Sequence, residues 1–139
     1  MKKYILLTIV FIYLISCDHY DMRLKIINKS NQNFFYSISI NDSIYPSSPL
    51  RIYKKDTILE ESSFVSSNTI NKEAMLGKNS WEYFVKKECE NGKIRIFFFK
   101  DSLILNTKWD SIYKYQIYTE KMSFNFKELE KLNWEIKIK

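Results

Sequence analysis

The 139 residues carry 22 Lys and Arg against 16 Asp and Glu, a formal net charge of +6, with 17% aromatic residues, two glycines, two cysteines and one histidine. That is one domain's worth of chain, long enough to bury a core without disulfides. The composition argues against phosphate-cradling glycine loops, His-assisted nucleophiles and close-spaced zinc ligand sets, and the scattered basic pairs Lys54-Lys55 and Lys86-Lys87 predict no nucleic-acid partner.

Lys2 and Lys3 precede an almost wholly apolar run from Tyr4 to Ile15, and Leu14-Ile15-Ser16-Cys17 closes it. A charged start, a short apolar run and a small-residue boundary make an export signal. As a helix the run reaches roughly 18 Å, against a hydrocarbon core of about 30 Å. The closing four residues resemble the lipobox of bacterial lipoproteins. The resemblance implies cleavage before Cys17, which then becomes the lipidated first residue of a chain anchored in the outer membrane. Residues 1–16 are therefore read as a lipoprotein signal peptide, 17–22 as the lipidated Cys and a short tether, and 23–139 as a single globular domain. Both signal lysines leave with the signal, so the mature net charge becomes +4. Cys89 is then the only thiol, expected as a half-buried small hydrophobe. His19 lies on the tether, where it is expected to face solvent. Asp18 and Asp21 resemble the acidic residues that direct some Gram-negative lipoproteins to the cell surface.

Arg23–Asn28 reads as a strand with Leu24 and Ile26 on one face. Phe34, Tyr36, Ile38 and Ile40 alternate with Phe35, Ser37, Ser39 and Asn41, the clearest period-two segment, with one apolar face and one mostly polar. Asn41-Asp42-Ser43 is a turn, and Pro46 and Pro49 forbid regular structure between them. Leu50–Leu59 suits one or two short strands, Ser62–Ser67 a serine-rich loop, and Thr69–Leu76 a strand. Ser80 is placed as the N-cap of a helix over Trp81–Lys87, and Asn91-Gly92 as a turn. Lys93–Phe99 is apolar on both faces apart from Arg95, the pattern of a central strand. Asp101–Asn106 and Asp110–Tyr115 each open with an Asp suited to cap a helical turn. Gln116–Phe124 reads as a strand and Phe126–Leu132 as a helix with an Asn125/Glu128 capping box. Asn133 suits the left-handed closing position, and Trp134, Ile136 and Ile138 alternate into a final strand.

The lipobox, the Ile-Asn-Lys-Ser-Asn-Gln-Asn-Phe-Phe-Tyr-Ser strand pair, Asn-Ser-Trp-Glu-Tyr-Phe, Ile-Arg-Ile-Phe-Phe-Phe-Lys-Asp, Trp-Asp-Ser-Ile-Tyr-Lys-Tyr and the closing Leu-Glu-Lys-Leu-Asn-Trp-Glu-Ile follow in order. This succession resembles a family of small lipoproteins of gut- and mouth-dwelling Gram-negative bacteria, over most of residues 17–139. The resemblance implies a location and domain limits. It implies no reaction and no catalytic residue.

The chemistry-bearing residues are few. Glu60, Glu61, Glu82 and Glu88 are carboxylates expected at the surface, and no catalytic, metal or cofactor site is assigned. Trp81 and Trp134 belong to apolar patterns and are expected in the core. Trp109, beside a polar loop, is the candidate binding aromatic for a protein or glycan ligand. Four of the six Asp open an Asp-Ser/Thr-aliphatic triplet, at Ser43, Thr57, Ser102 and Ser111. By chance about one Asp in twenty would do so. The triplet resembles the O-glycan acceptor of exported proteins in the same bacteria, while turn chemistry offers a second cause. The fold expected is mostly β, a small antiparallel β-sandwich with two or three short helices, with an α+β arrangement of helices on one sheet as the alternative. The function expected is a membrane-anchored, non-catalytic interaction module. The alternatives are an immunity or protective lipoprotein that blocks a toxin or enzyme, and a glycan-acting hydrolase.

Overall fold

A computed structural model describes residues 19–47, 50–53, 56–59 and 63–139, with the backbone alone for 50–53 and 56–59. The signal segment, Cys17, Asp18 and Glu60-Glu61 lie outside the described residues, as does the side chain of Thr57.

The fold is mostly β, with eleven strands in four sheets among the described residues. The eight-residue strand β9 (Lys93–Lys100) is its centre, flanked antiparallel by β3 (Phe34–Ser39) and β10 (Glu120–Asn125), and β6 (Phe64–Val65) extends β3. A smaller sheet, in the order β11-β2-β7, comprises β11 (Glu135–Ile138), β2 (Lys25–Asn28) and β7 (Ile70–Lys72). Two ribbons complete the set: β1 (Tyr20–Asp21) with β8 (Met75–Leu76), and β4 (Leu50–Tyr53) with β5 (Asp56–Leu59).

Because side chains alternate along a strand, β9 feeds two cores. Ile94, Ile96 and Phe98 join Phe34 and Tyr36 of β3 and meet Leu24, Ile26, Ile136 and Ile138 of the small sheet, so the two sheets form a sandwich. Phe97 and Phe99, with Phe35 and Ile44, pack instead against Ile104 of α2 (Asp101–Asn106) and Ile112 of α3 (Trp109–Tyr115). The molecule thus has three layers, and the sandwich and the helices-on-a-sheet arrangement coexist on opposite faces of one sheet.

Several local expectations change. The face of β3 expected to be mostly polar is covered, with Phe35 under the helices and Ser39 fully buried, its hydroxyl donating to the Ser43 carbonyl at 2.9 Å. One strand pair, β11 with β2, is parallel. The Ser62–Ser67 loop contains β6, and the Thr69–Leu76 strand divides between two sheets as β7 and β8. Helix α1 (Ser80–Tyr83) widens into a π-turn over Phe84–Glu88, where Cys89 N–H donates to the Phe84 carbonyl at 3.0 Å. Ser80 is not its cap: Asn79 holds that position with φ 57°, and the Ser80 hydroxyl donates back to the Leu76 carbonyl at 2.7 Å. Gly77, at φ +104°, leaves room there, since a Cβ would stand 2.6 Å from Ser80 Oγ. Asp101 and Asp110 sit in their helices' first turns rather than at the caps, which are Lys100 and Lys108. Gln116 closes α3 in the left-handed region, so the following strand begins only at Glu120. The capping box of α4 (Phe126–Lys131) forms as expected, with Glu128 N–H donating to Asn125 Oδ1 at 3.0 Å and Asn125 N–H to Glu128 Oε2 at 2.8 Å.

Candidate functional site

The tether expected over residues 17–22 is shorter than its sequence suggests, because Tyr20 and Asp21 already belong to the fold. Asp21 pairs across the ribbon with Met75 and is buried. Its carboxylate accepts from Arg23 Nε at 2.8 Å and Nη2 at 2.7 Å, and from the Trp81 backbone N–H at 3.2 Å. The Arg23 side-chain bond holds the Asp21 carboxyl below its ordinary range, against the opposing effect of burial. Asp21 is therefore a structural ion-pair residue of the fold. His19 is exposed, and its carbonyl accepts from Gly77 N–H at 2.6 Å.

Beside this ribbon opens a cleft of about 500 Å³ lined by residues that include His19, Met22, Arg23, Lys25, Lys78 and Trp134. The Arg23 guanidinium stacks 4.5 Å from the Trp134 ring centroid, and Phe126 meets the same indole edge-on at 5.9 Å. Asn133 takes the left-handed conformation expected of it (φ 52°), and Trp134 follows at φ 61°, an unusual backbone for a bulky residue. Trp134 N–H donates to the Leu129 carbonyl at 2.8 Å, and its own carbonyl accepts from Lys25 N–H at 2.9 Å. The double left-handed turn thus swings the chain out of α4 and into register beside β2.

A second surface lies across the central sheet. Leu105, Tyr113, Tyr115, Ile117 and Tyr118 are exposed on the helical layer and the loop that leaves it. Tyr118 packs edge-on against Phe97 at 5.3 Å, and Lys114 Nζ lies 5.3 Å from the Tyr115 ring centroid. Trp109, the predicted binding aromatic, is half-buried at the margin of this layer. Its ring meets Phe99 at 5.4 Å, and its indole N–H donates to the Pro46 carbonyl at 2.8 Å. Its polar handle is thus spent on the fold, and the exposed tyrosines are the aromatic feature that sequence reasoning missed. The signal was there: Tyr113 and Tyr115 flank Lys114 at the end of an amphipathic turn whose inward residue is Ile112.

The hydroxyl-bearing sites separate. Ser102 is exposed. Ser43 is half-buried, and its hydroxyl donates to Asn41 Oδ1 at 2.8 Å in a turn that folds inward beside buried Ile44. Ser111 is half-buried as well.

One polar cluster escaped the sequence reading. Buried Tyr36 donates its hydroxyl to Glu73, and Asn71 Nδ2 donates to that hydroxyl at 2.6 Å. Burial raises both acids, the Glu73 carboxyl and the Tyr36 phenol. A phenol pushed upward stays protonated at neutral pH and serves as a donor. Cys89 is buried more fully than expected, and desolvation pushes its thiol up to about 11, the opposite of what a nucleophilic cysteine requires. Among the described residues no three His, Cys, Asp or Glu converge as a metal site, and no helix is long and apolar enough to cross a membrane. No family model, curated protein or solved structure matches the chain.

Proposed function

We propose that the chain is an exported lipoprotein anchored in the outer membrane by acylated Cys17, and that its domain is a non-catalytic interaction module for a protein or glycan ligand. One observation carries the reading: the lipobox ends at Cys17, three residues before the first strand of a mostly-β domain. An anchor there leaves the folded unit intact.

The exposed Tyr113, Tyr115 and Tyr118 support the interaction role, since tyrosines on a surface offer flat apolar faces with a polar tip. The polar groups with displaced protonation support the non-catalytic role, because each has a structural partner or is simply desolvated. Asp21 binds Arg23, Glu73 binds Tyr36, Glu135 binds Lys25 at 3.3 Å, and Cys89 lies in the core.

Acyl chains contribute about 0.8 kcal/mol per buried methylene, so Cys17→Ala removes the whole attachment. Metabolic acyl labelling with membrane fractionation tests it: wild type takes label and pellets with membranes, and the variant does neither. A wild type without label, beside a variant that still pellets, overturns the lipoprotein assignment.

A further inference from the structure

The ribbon at the chain's entry has two unlike faces. Asp21 and Met75 are cross-strand partners that turn inward, Asp21 buried and Met75 packed on the core. Tyr20 and Leu76 are the other pair, and they are 53% and 63% exposed, with Met22 beside them at 51%. Three large apolar side chains thus stand uncovered at the point where the chain enters the domain. The adjoining cleft adds cations. Arg23 is occupied by Asp21 and Lys25 by Glu135, but among the described residues Lys78 has no ion-pair partner.

The position of Cys17 decides what covers this face. Tyr20 is three residues further on, a span of at most roughly 11 Å of extended chain. The headgroup layer on each side of a bilayer is about 5–8 Å deep. An acylated Cys17 therefore holds the Tyr20–Leu76 pair at or just above headgroup level, where tyrosine is favoured and where lysines meet lipid phosphates.

We propose that the outer face of the β1–β8 ribbon docks on the bilayer, with Tyr20, Met22 and Leu76 in the interface and Lys78 against the phosphates of anionic phospholipids. This rests on the lipoprotein reading and adds a second attachment to it. The lipid retains the protein, and the ribbon sets which way the domain faces. With the ribbon down, the helical layer, on the far face of the central sheet, is held off the lipid.

The test uses the lipidated full chain carrying Met22→Cys, labelled with an environment-sensitive fluorophore. Cys89 is buried and Cys17 is blocked by its thioether, so the label goes to position 22. Tyr115→Cys, labelled likewise, is the control. On phosphatidylcholine vesicles containing phosphatidylglycerol and a lipid-borne quencher, the label at 22 is quenched and blue-shifted, and the label at 115 is not. Lys78→Glu, or omission of phosphatidylglycerol, lowers the quenching at 22 by at least about threefold. Leu76→Ser also lowers it. Protein that floats with vesicles while the label at 22 stays unquenched overturns the docking and leaves the anchor standing. Quenching at 22 indifferent to both Lys78→Glu and lipid charge overturns the role given to headgroup phosphates. Protein that carries no acyl group and does not float overturns the lipoprotein reading, and the docking falls with it.

Discussion

Asp21 ties three pieces of chain together at once: the entry strand, Arg23 and the start of α1 through Trp81 N–H. Its folded-state pKa is depressed, chiefly by Arg23. Its contribution is therefore complete above the unfolded value of about 3.9 and is lost as pH falls through the lower folded value. Glu73 works in the other sense. Burial raises its carboxyl, so its contribution is complete below the unfolded value of about 4.3 and is lost as pH rises through the folded value. Denaturation midpoints measured across pH separate the two. Asp21→Asn costs about 1.5–3 kcal/mol at neutral pH, the range for hydrogen bonds to a charged group, and the difference from wild type shrinks in acid. Glu73→Gln keeps an acceptor for Tyr36 and avoids burying a charge. It raises the midpoint at neutral pH and converges on wild type in acid. A uniform offset for either variant at all pH values contradicts these assignments.

Strand β9 is covered on both faces and paired on both edges. Phe98 is fully buried, meets Phe34 edge-on at 6.5 Å and Tyr36 at 6.3 Å, and shares its face with Ile94 and Ile96. Phe98→Ala leaves a cavity between the two sheets and costs about 3–5 kcal/mol. A midpoint unchanged within error in chemical denaturation contradicts the central placement. Arg95, the one charge on the strand's inner run, is buried without being stranded. Its Nη1 donates to the carbonyls of Ile40, Glu90 and Lys93 at 3.1, 2.7 and 2.6 Å. It ties the end of β3 to the turn that enters β9.

At the scale of the molecule, the central sheet separates two surfaces. One carries the exposed β1–β8 ribbon; the other is the tyrosine-bearing helical layer. The Asp-Ser/Thr triplets follow the same division between use by the fold and access from outside. A transferase reaches only an exposed hydroxyl, and a sugar does not fit a core at native packing density. Ser102 is exposed, whereas Ser43 and Ser111 are half-buried and Ser43 is bonded to Asn41. If the triplet is a glycan acceptor, Ser102 is the most accessible of the three described serines. Intact mass of protein made in its native host, after any lipid is allowed for, then exceeds that of the sequence, and Ser102→Ala lowers the excess. The same mass excess in wild type and variant removes Ser102 from consideration.

Signals that act within a few residues were legible in the chain alone. Asn125 and Glu128 are spaced to cap α4, Asn133 suits a left-handed exit, and Lys93–Phe99 declares itself central because both its faces are apolar. What only the tertiary structure decided depends on which surfaces meet. Period two assigns Phe35 and Ser39 to one side of β3, but nothing in that alternation reveals that helices cover it. Strand periodicity is the same in either direction, so the parallel pairing of β11 with β2 follows from the turn at Asn133–Trp134 and the core it closes. Asp21 looks like an exposed acid in a tether until Arg23, Trp81 and Met75 arrive around it. Trp109 looks like an exposed platform until Pro46, sixty-three residues away, offers its carbonyl. A buried polar group is identified by its partners, and those partners are distant in sequence.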